Sequence, residues 1–259
     1  MIQLPSLEAI LTTELARYGW PFLRIAGLLM VAPVFGARMV SPRIRLALAI
    51  GVTVVLVPSL PTVPSATVLS LAGFLISLQE VVIGLSMGFV VQMIFDALVI
   101  GGQTVAMSMG LGFAMLIDPQ RGVSVPVLSQ FLIVLGLLIF LALDGHLMML
   151  RVLAASFDWA PVGSGLSREG LWALLNWGSG MFAGALTIAL PAVVALLVVN
   201  IAFGVMSRAA PTLNLFAVGF PLSMLLGFLV LWLNTPNLIP GIRQLMDASF
   251  DLLRAVLAR

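Results

Sequence analysis

The residue types that do chemistry are scarce in this chain and far apart. It holds one His and no Cys, and its ten acidic residues are spread over 259 positions. Without thiols there is neither a disulfide framework nor a thiolate metal site. His146, in the run Asp144-Gly145-His146, has no nucleophile near it in sequence. No paired-carboxylate or metal-ligand spacing occurs. A lone His beside an Asp fits a capping or hydrogen-bonding role. The residues therefore point to no catalytic set, no metal and no cofactor, and to a protein that is not an enzyme.

The charges that remain are costly ones. Glu80, Asp96, Asp144, Arg151 and Arg208 lie in or beside apolar segments. An ionised group at a bilayer centre costs at least about 2.5–3.5 kcal/mol. Such groups pair, sit at segment ends, or serve an ion relay. Asp144 and Arg151, seven residues apart, are expected to pair. Glu80, Asp96 and Arg208 would be the relay of a small-solute secondary transporter. Such transporters are often built from paired repeats with interrupted helices, and no repeat is visible here.

Two spacings carry further information. Glu80, Gly84, Gly88, Gln92 and Asp96 recur every four residues. A helix turns about 100° per residue, so this stripe follows an i±4 ridge and winds round its helix. Ridges of that kind pack at steep crossings, and Gly84-xxx-Gly88 is a small-xxx-small pattern that lets backbones approach. The ladder predicts a steeply crossed helix neighbour. The run Met107, Ser108, Met109, Gly110, Leu111, Gly112, Phe113, Ala114, Met115 combines flexible glycines with adaptable thioethers. It suits a deformable seal or, more simply, a core filler.

The elements that position these residues are apolar helices. Hydrophobic residues make up 61% of the chain and charged ones 8%, against about 25% charged in a soluble domain. The mean hydropathy is +1.20. The bilayer, or an apolar assembly, is part of this protein's solvent. All twelve basic residues are Arg and they are scattered, so no nucleic-acid footprint is present. The first residues, with Glu8 and Glu14 ahead of Arg17, do not have the pattern of a signal peptide.

Uncharged stretches mark about six apolar segments: 18–35, 46–57, 68–117 with an expected break at Gly101-Gly102 and a stop at Asp118-Pro119, 125–143, 171–206 and 213–233. A 50-residue helix would be about 75 Å long, hence the expected break. Pro58, Pro61 and Pro64 predict a stiff turn, residues 155–169 a polar loop, Pro191 a kink, and Pro236 and Pro240 the end of the last segment. From about 241 to 259, Ile242, Leu245, Met246, Phe250, Leu253, Val256 and Leu257 share one face, opposite Arg243, Asp247, Asp251 and Arg254. This is an amphipathic helix for an interface or a partner helix. No strand pattern occurs. The positive-inside rule puts the Arg38–Arg45 loop in the cytoplasm.

The run Ala210-Pro211-Thr212-Leu213-Asn214-Leu215-Phe216-Ala217-Val218-Gly219-Phe220-Pro221 strongly resembles the FliR family of flagellar export-apparatus proteins. The resemblance covers essentially the whole chain. It includes Arg24, Gly27, Pro33, Gly36, Pro42, Arg43 and Arg45, then Gly110 to Pro119 and Pro126. It continues through Asp144-Gly145-His146, Ala189-Leu190-Pro191 and Arg208. Leu147 departs from the pattern where many members carry a second His.

The resemblance implies an all-α, polytopic membrane-type fold of kinked helical hairpins within a larger helical assembly, a single FliR-like domain over 1–259. It implies a subunit of the flagellar type III export gate, a conduit for unfolded flagellar proteins, in the bacterial inner membrane at the flagellar basal body. The implied partners are FliP-like and FliQ-like subunits, an FlhB-like protein and membrane lipid. The implied plug or gate residues are Met107, Met109, Gly110, Leu111, Gly112, Phe113, Met115, Asp118 and Pro119, with Phe113 obstructing. Arg208, Pro211, Asn214, Phe216, Gly219 and Pro221 are the implied family motif, and Glu80–Asp96 a subunit contact. The same gate in a virulence injectisome is the nearest alternative, and the small-solute transporter a more distant one.

Overall fold

The computed structural model describes residues 7–36, 40–61, 63–64, 67–111, 127–209 and 215–258. Among them every regular element is a helix. These are α1 (Leu7–Val31), α2 (Pro42–Leu56, continued by a 3-10 turn Val57–Ser59), α3 (Leu71–Ser108), α4 (Val127–Ala142), α5 (Gly145–Trp159), α6 (Arg168–Ala209) and α7 (Leu215–Leu257).

The chain tolerates several residues that the sequence reading takes as breaks. Gly101-Gly102 does not interrupt α3, which runs unbroken for 38 residues, about 57 Å at 1.5 Å per residue. The two glycines instead admit neighbouring backbones. A Cβ on Gly101 would lie 3.1 Å from the Ala185 carbonyl oxygen, and one on Gly102 would lie 2.7 Å from the Ser129 Cα. The helix ends at Ser108, and two residues on Gly110 has a φ of +82°, which favours a residue without a side chain.

Pro191, the expected kink, lies inside α6, a helix of 42 residues. Pro236 and Pro240 lie inside α7, which runs on for 43 residues into the amphipathic end. Each proline removes an N–H donor from the helix. Polar side chains cluster where α7 loses donors: Thr235 Oγ1 donates to the Leu231 carbonyl at 3.0 Å, and Asn237 Nδ2 to Asn234 Oδ1 at 3.0 Å. Neighbouring side chains and packing make such prolines tolerable in apolar helices. The polar loop expected over 155–169 is shorter, because α5 continues to Trp159.

Among the described residues, four helical stretches are long and apolar enough to cross a membrane: Pro42–Ser59, Leu71–Ser108, Arg168–Met206 and Gly219–Leu257. The pair α4 and α5 gives a fifth if taken as one span. α1 is not among them, although its sequence reads as an apolar segment over 18–35. Arg24 lies within it, with Glu14 and Arg17 just before.

The helices contribute to two compact units. The first takes α1, α2, α3 as far as Met93, α5, α6 as far as Gly178, and α7 from Met246. Trp20, Ile25, Leu28, Leu29, Ile83 and Met87 are among its buried side chains. The second takes the rest of α3, α4, the remainder of α6 and α7 as far as Leu245. Its core joins Val105, Ala106, Met109, Leu128, Ala189 and Leu196. In the amphipathic end, Ile242, Met246, Phe250, Leu253, Val256 and Leu257 are buried, while Arg243, Asp247, Asp251 and Arg254 are exposed.

Candidate functional site

In the first unit, two charges that look isolated in the sequence meet. Arg24 of α1 and Glu80 of α3 are both fully buried. Arg24 Nε donates to Glu80 Oε2 at 2.7 Å, and Nη2 donates to Oε1 at 3.0 Å. Nη1 donates to the Ser156 carbonyl oxygen at 2.9 Å and to Ser156 Oγ at 3.1 Å. Nη2 also donates to the Ala160 carbonyl oxygen at 2.9 Å. A guanidinium has five N–H donors, and each has an acceptor here. The Gly163 N–H donates to Glu80 Oε1 at 3.2 Å, and Arg24 lies 4.2 Å from the Phe157 ring centroid. A buried pair survives desolvation only when geometry and supporting hydrogen bonds are this complete. The network ties α1, α3, α5 and the 160–163 turn together.

Sequence reading singled out Glu80 and placed Arg24 only in the family pattern. A usable signal was present. Each is a lone charge in an apolar stretch, and each precedes a glycine by one turn: Gly27 after Arg24, Gly84 after Glu80.

Those glycines bring α1 and α3 together. A Cβ on Gly84 would collide with the Arg24 carbonyl oxygen, and one on Gly88 would lie 2.8 Å from that of Leu28. A Cβ on Gly27 would lie 3.0 Å from the Val81 carbonyl oxygen. Glu80, Gly84 and Gly88 therefore pack against the chain's own α1. Gln92 and Asp96 are half-buried, and both are engaged in interactions.

At the end of α3 the sealing residues separate. Met109 is fully buried and belongs to the core of the second unit, against the bare backbone of Gly227 in α7. It fills core space there. Met107 is exposed, Gly110 makes the left-handed turn beside Phe220, and Leu111 packs on the Met109 core. Gly112, Phe113, Met115, Asp118 and Pro119 lie outside the described residues.

The family description "Bacterial export proteins, family 1" matches residues 15–249. The chain belongs to this family. It is similar to the flagellar biosynthetic protein FliR of Pectobacterium carotovorum subsp. carotovorum, 35% identical over 245 residues, 94% of each chain. With FliR of Escherichia coli (strain K12) the identity is 34% over 242 residues, 93% of this chain and 92% of the relative. With FliR of Bacillus subtilis (strain 168) it is 27% over 241 residues, 92% and 93%.

In this bacterial export protein the motif residues are partly described. Arg208 is exposed in the last turn of α6. Phe216, Gly219 and Pro221 fall in the opening turns of α7, with Pro221 exposed. Pro211 and Asn214 lie outside the described residues.

The expected Asp144–Arg151 pair does not form. Both side chains are exposed, and no ion pair joins them. Asp144 stands at the bend before α5 with φ 56°, two turns from Arg151, beyond the i,i+3 and i,i+4 spacings at which helix side chains meet. His146 does not cap or bridge through Nδ1, which is enclosed and without a hydrogen-bond partner among the described residues.

A cavity of about 360 Å³ in the first unit is lined by Glu14, Arg17, Pro21, Val57, Leu60 and Phe157, among others. Its charged edge is the exposed Glu14–Arg17 pair at 3.8 Å, with no nucleophile–base pair. Among the described residues no three His, Cys, Asp or Glu gather as metal ligands.

Proposed function

We propose that this bacterial export protein is a structural and gating subunit of the flagellar type III export gate. It forms part of the conduit for unfolded flagellar proteins, joined to FliP-like and FliQ-like subunits and to an FlhB-like protein, in the inner membrane at the flagellar basal body. The observation that carries the reading is the near full-length relationship to FliR proteins at 35% identity over 245 residues. The buried charges favour it over a small-solute transporter. A relay residue must exchange partners or hydration, whereas Glu80 is fully buried and saturated by Arg24 and the Gly163 N–H. The protein acts by assembly and is not an enzyme.

The segment that begins at Met107 and includes Phe113 is the plug, with Met109 and Leu111 as its anchor in the second unit. Deleting the gene should abolish secretion of hook and filament proteins, and the wild-type copy should restore it. Secretion that persists in the deletion strain rejects the reading. Phe113→Ala with Met115→Ala should raise ion leakage through the assembled complex. Unchanged conductance would make the segment structural.

A further inference from the structure

We propose that α2 is a lipid-facing edge of the protein and that Arg43 and Arg45 at its start hold the phosphate of an anionic phospholipid. α2 has two unlike faces. Ala49, Thr53 and Val57 are buried. Ile44, Leu46, Ile50, Val54 and Val55 are 49–73% exposed. From Leu46 to Val57 the only polar side chain is Thr53, whose hydroxyl donates to the Ala49 carbonyl at 2.7 Å. The outer face therefore offers neither water nor a partner any side-chain polar group.

The ends of this stretch are marked. Arg43 and Arg45 stand at one end, and Pro58 and Ser59 at the other. The 18 residues from Pro42 to Ser59 span about 27 Å as helix, close to the ~30 Å hydrocarbon core. Arg43 is exposed and has no ion-pair partner among the described residues. Arg45 is half-buried, with Nη2 donating to the Val40 carbonyl at 3.0 Å, which fixes its guanidinium beside the start of the helix. Two arginines at the hydrocarbon boundary, at a helix N-terminus that itself favours anions, complement a phosphodiester.

Composition favours lipid over a protein on this face. Protein interfaces are enriched in aromatic residues and Met. α2 and its 3-10 turn contain neither. The exposed faces of α6 and α7 differ, with Phe182, Phe228 and Trp232 standing 50–71% exposed. Those faces suit subunits, and the purely aliphatic α2 face suits acyl chains.

The test uses the assembled complex in nanodiscs of phosphatidylcholine with a minor fraction of phosphatidylglycerol. Phosphatidylglycerol should be enriched among the lipids that stay bound on purification. R43Q and R45Q should each reduce that enrichment about fivefold, while R43K and R45K retain more of it. Circular dichroism and subunit recovery should be unchanged, because Arg43 is exposed and Arg45 only half-buried. The chain lacks Cys, so Val54→Cys accepts a single environment-sensitive fluorophore. Doxyl-labelled phospholipid should quench that fluorophore in the assembled complex. Equal retention of the two lipids would overturn the anionic site. Loss of quenching on assembly would show a protein covering the face and overturn the lipid edge.

Discussion

Arg24 and Glu80 show how a charge becomes structural inside an apolar protein. Each alone would be a buried ion without compensation, and together they satisfy all five donors of the guanidinium. Removing one partner of such a pair costs about 3–5 kcal/mol, whereas replacing both with apolar residues of similar volume is often neutral. Glu80→Ala should therefore lower the thermal midpoint of the purified complex sharply and deplete the protein in membranes. Arg24→Met combined with Glu80→Leu should recover a large part of both. Recovery will be incomplete, since the Ala160 carbonyl and the Gly163 N–H lose the partners they have here. A double variant as unstable as the single one would mean that the pair acts through a charge requirement beyond folding. The sequence exposed both charges but not their meeting, because 56 residues separate them and nothing in either helix alone states which neighbour it faces.

At the scale of elements, the glycines decide which helices touch. Gly84 and Gly88 face α1, while Gly227 makes room for Met109. Gly84→Leu should separate α1 from α3 and break the Arg24–Glu80 geometry, with loss of the assembled protein on native gels. Gly227→Ala is milder. Its new Cβ would lie 2.6 Å from Met109 Cγ, and overpacking of this kind costs about 1–3 kcal/mol. The check is a lower melting temperature with assembly retained, and Met109→Ala should relieve part of the effect.

Legibility at this scale follows from what each signal measures. Hydropathy located the long apolar helices, because burial in lipid or in protein leaves the same composition. The buried and exposed sides of the amphipathic end were readable from spacing alone, since one helix face suffices to state them. The break at Gly101-Gly102 was not readable. A glycine pair both weakens a helix and admits a neighbour, and only the neighbours, the Ala185 carbonyl and Ser129, decide between the two. Pro236 and Pro240 were misread for the same reason. Their cost depends on the surroundings of the helix, which the sequence of that helix alone does not state. Met107 and Met109 look alike in the sequence, and burial separates them.

The whole molecule has more apolar surface than it covers by itself. In the second unit the outward residues of α6 and α7 include Phe182, Leu186, Leu197, Phe228 and Trp232, all at least half-exposed. Lipid would accept these side chains, and so would the apolar surface of other subunits. Aromatic side chains distinguish the two, because a few large rings seated in partner pockets carry most of an interface's energy. If this face joins FliP-like or FliQ-like chains, Trp232→Ala and Phe182→Ala should each weaken the complex by about 2 kcal/mol or more. In mild detergent that appears as loss of the partner chains from the purified protein while its helix content stays native. The contrast with α2 sharpens the test. Val54→Ala and Val55→Ala, on the aliphatic face, should leave partner recovery unchanged. If the aromatic and aliphatic variants affect recovery equally, exposed aromatics do not mark the subunit face, and the assignment of α6 and α7 to partners and of α2 to lipid fails together.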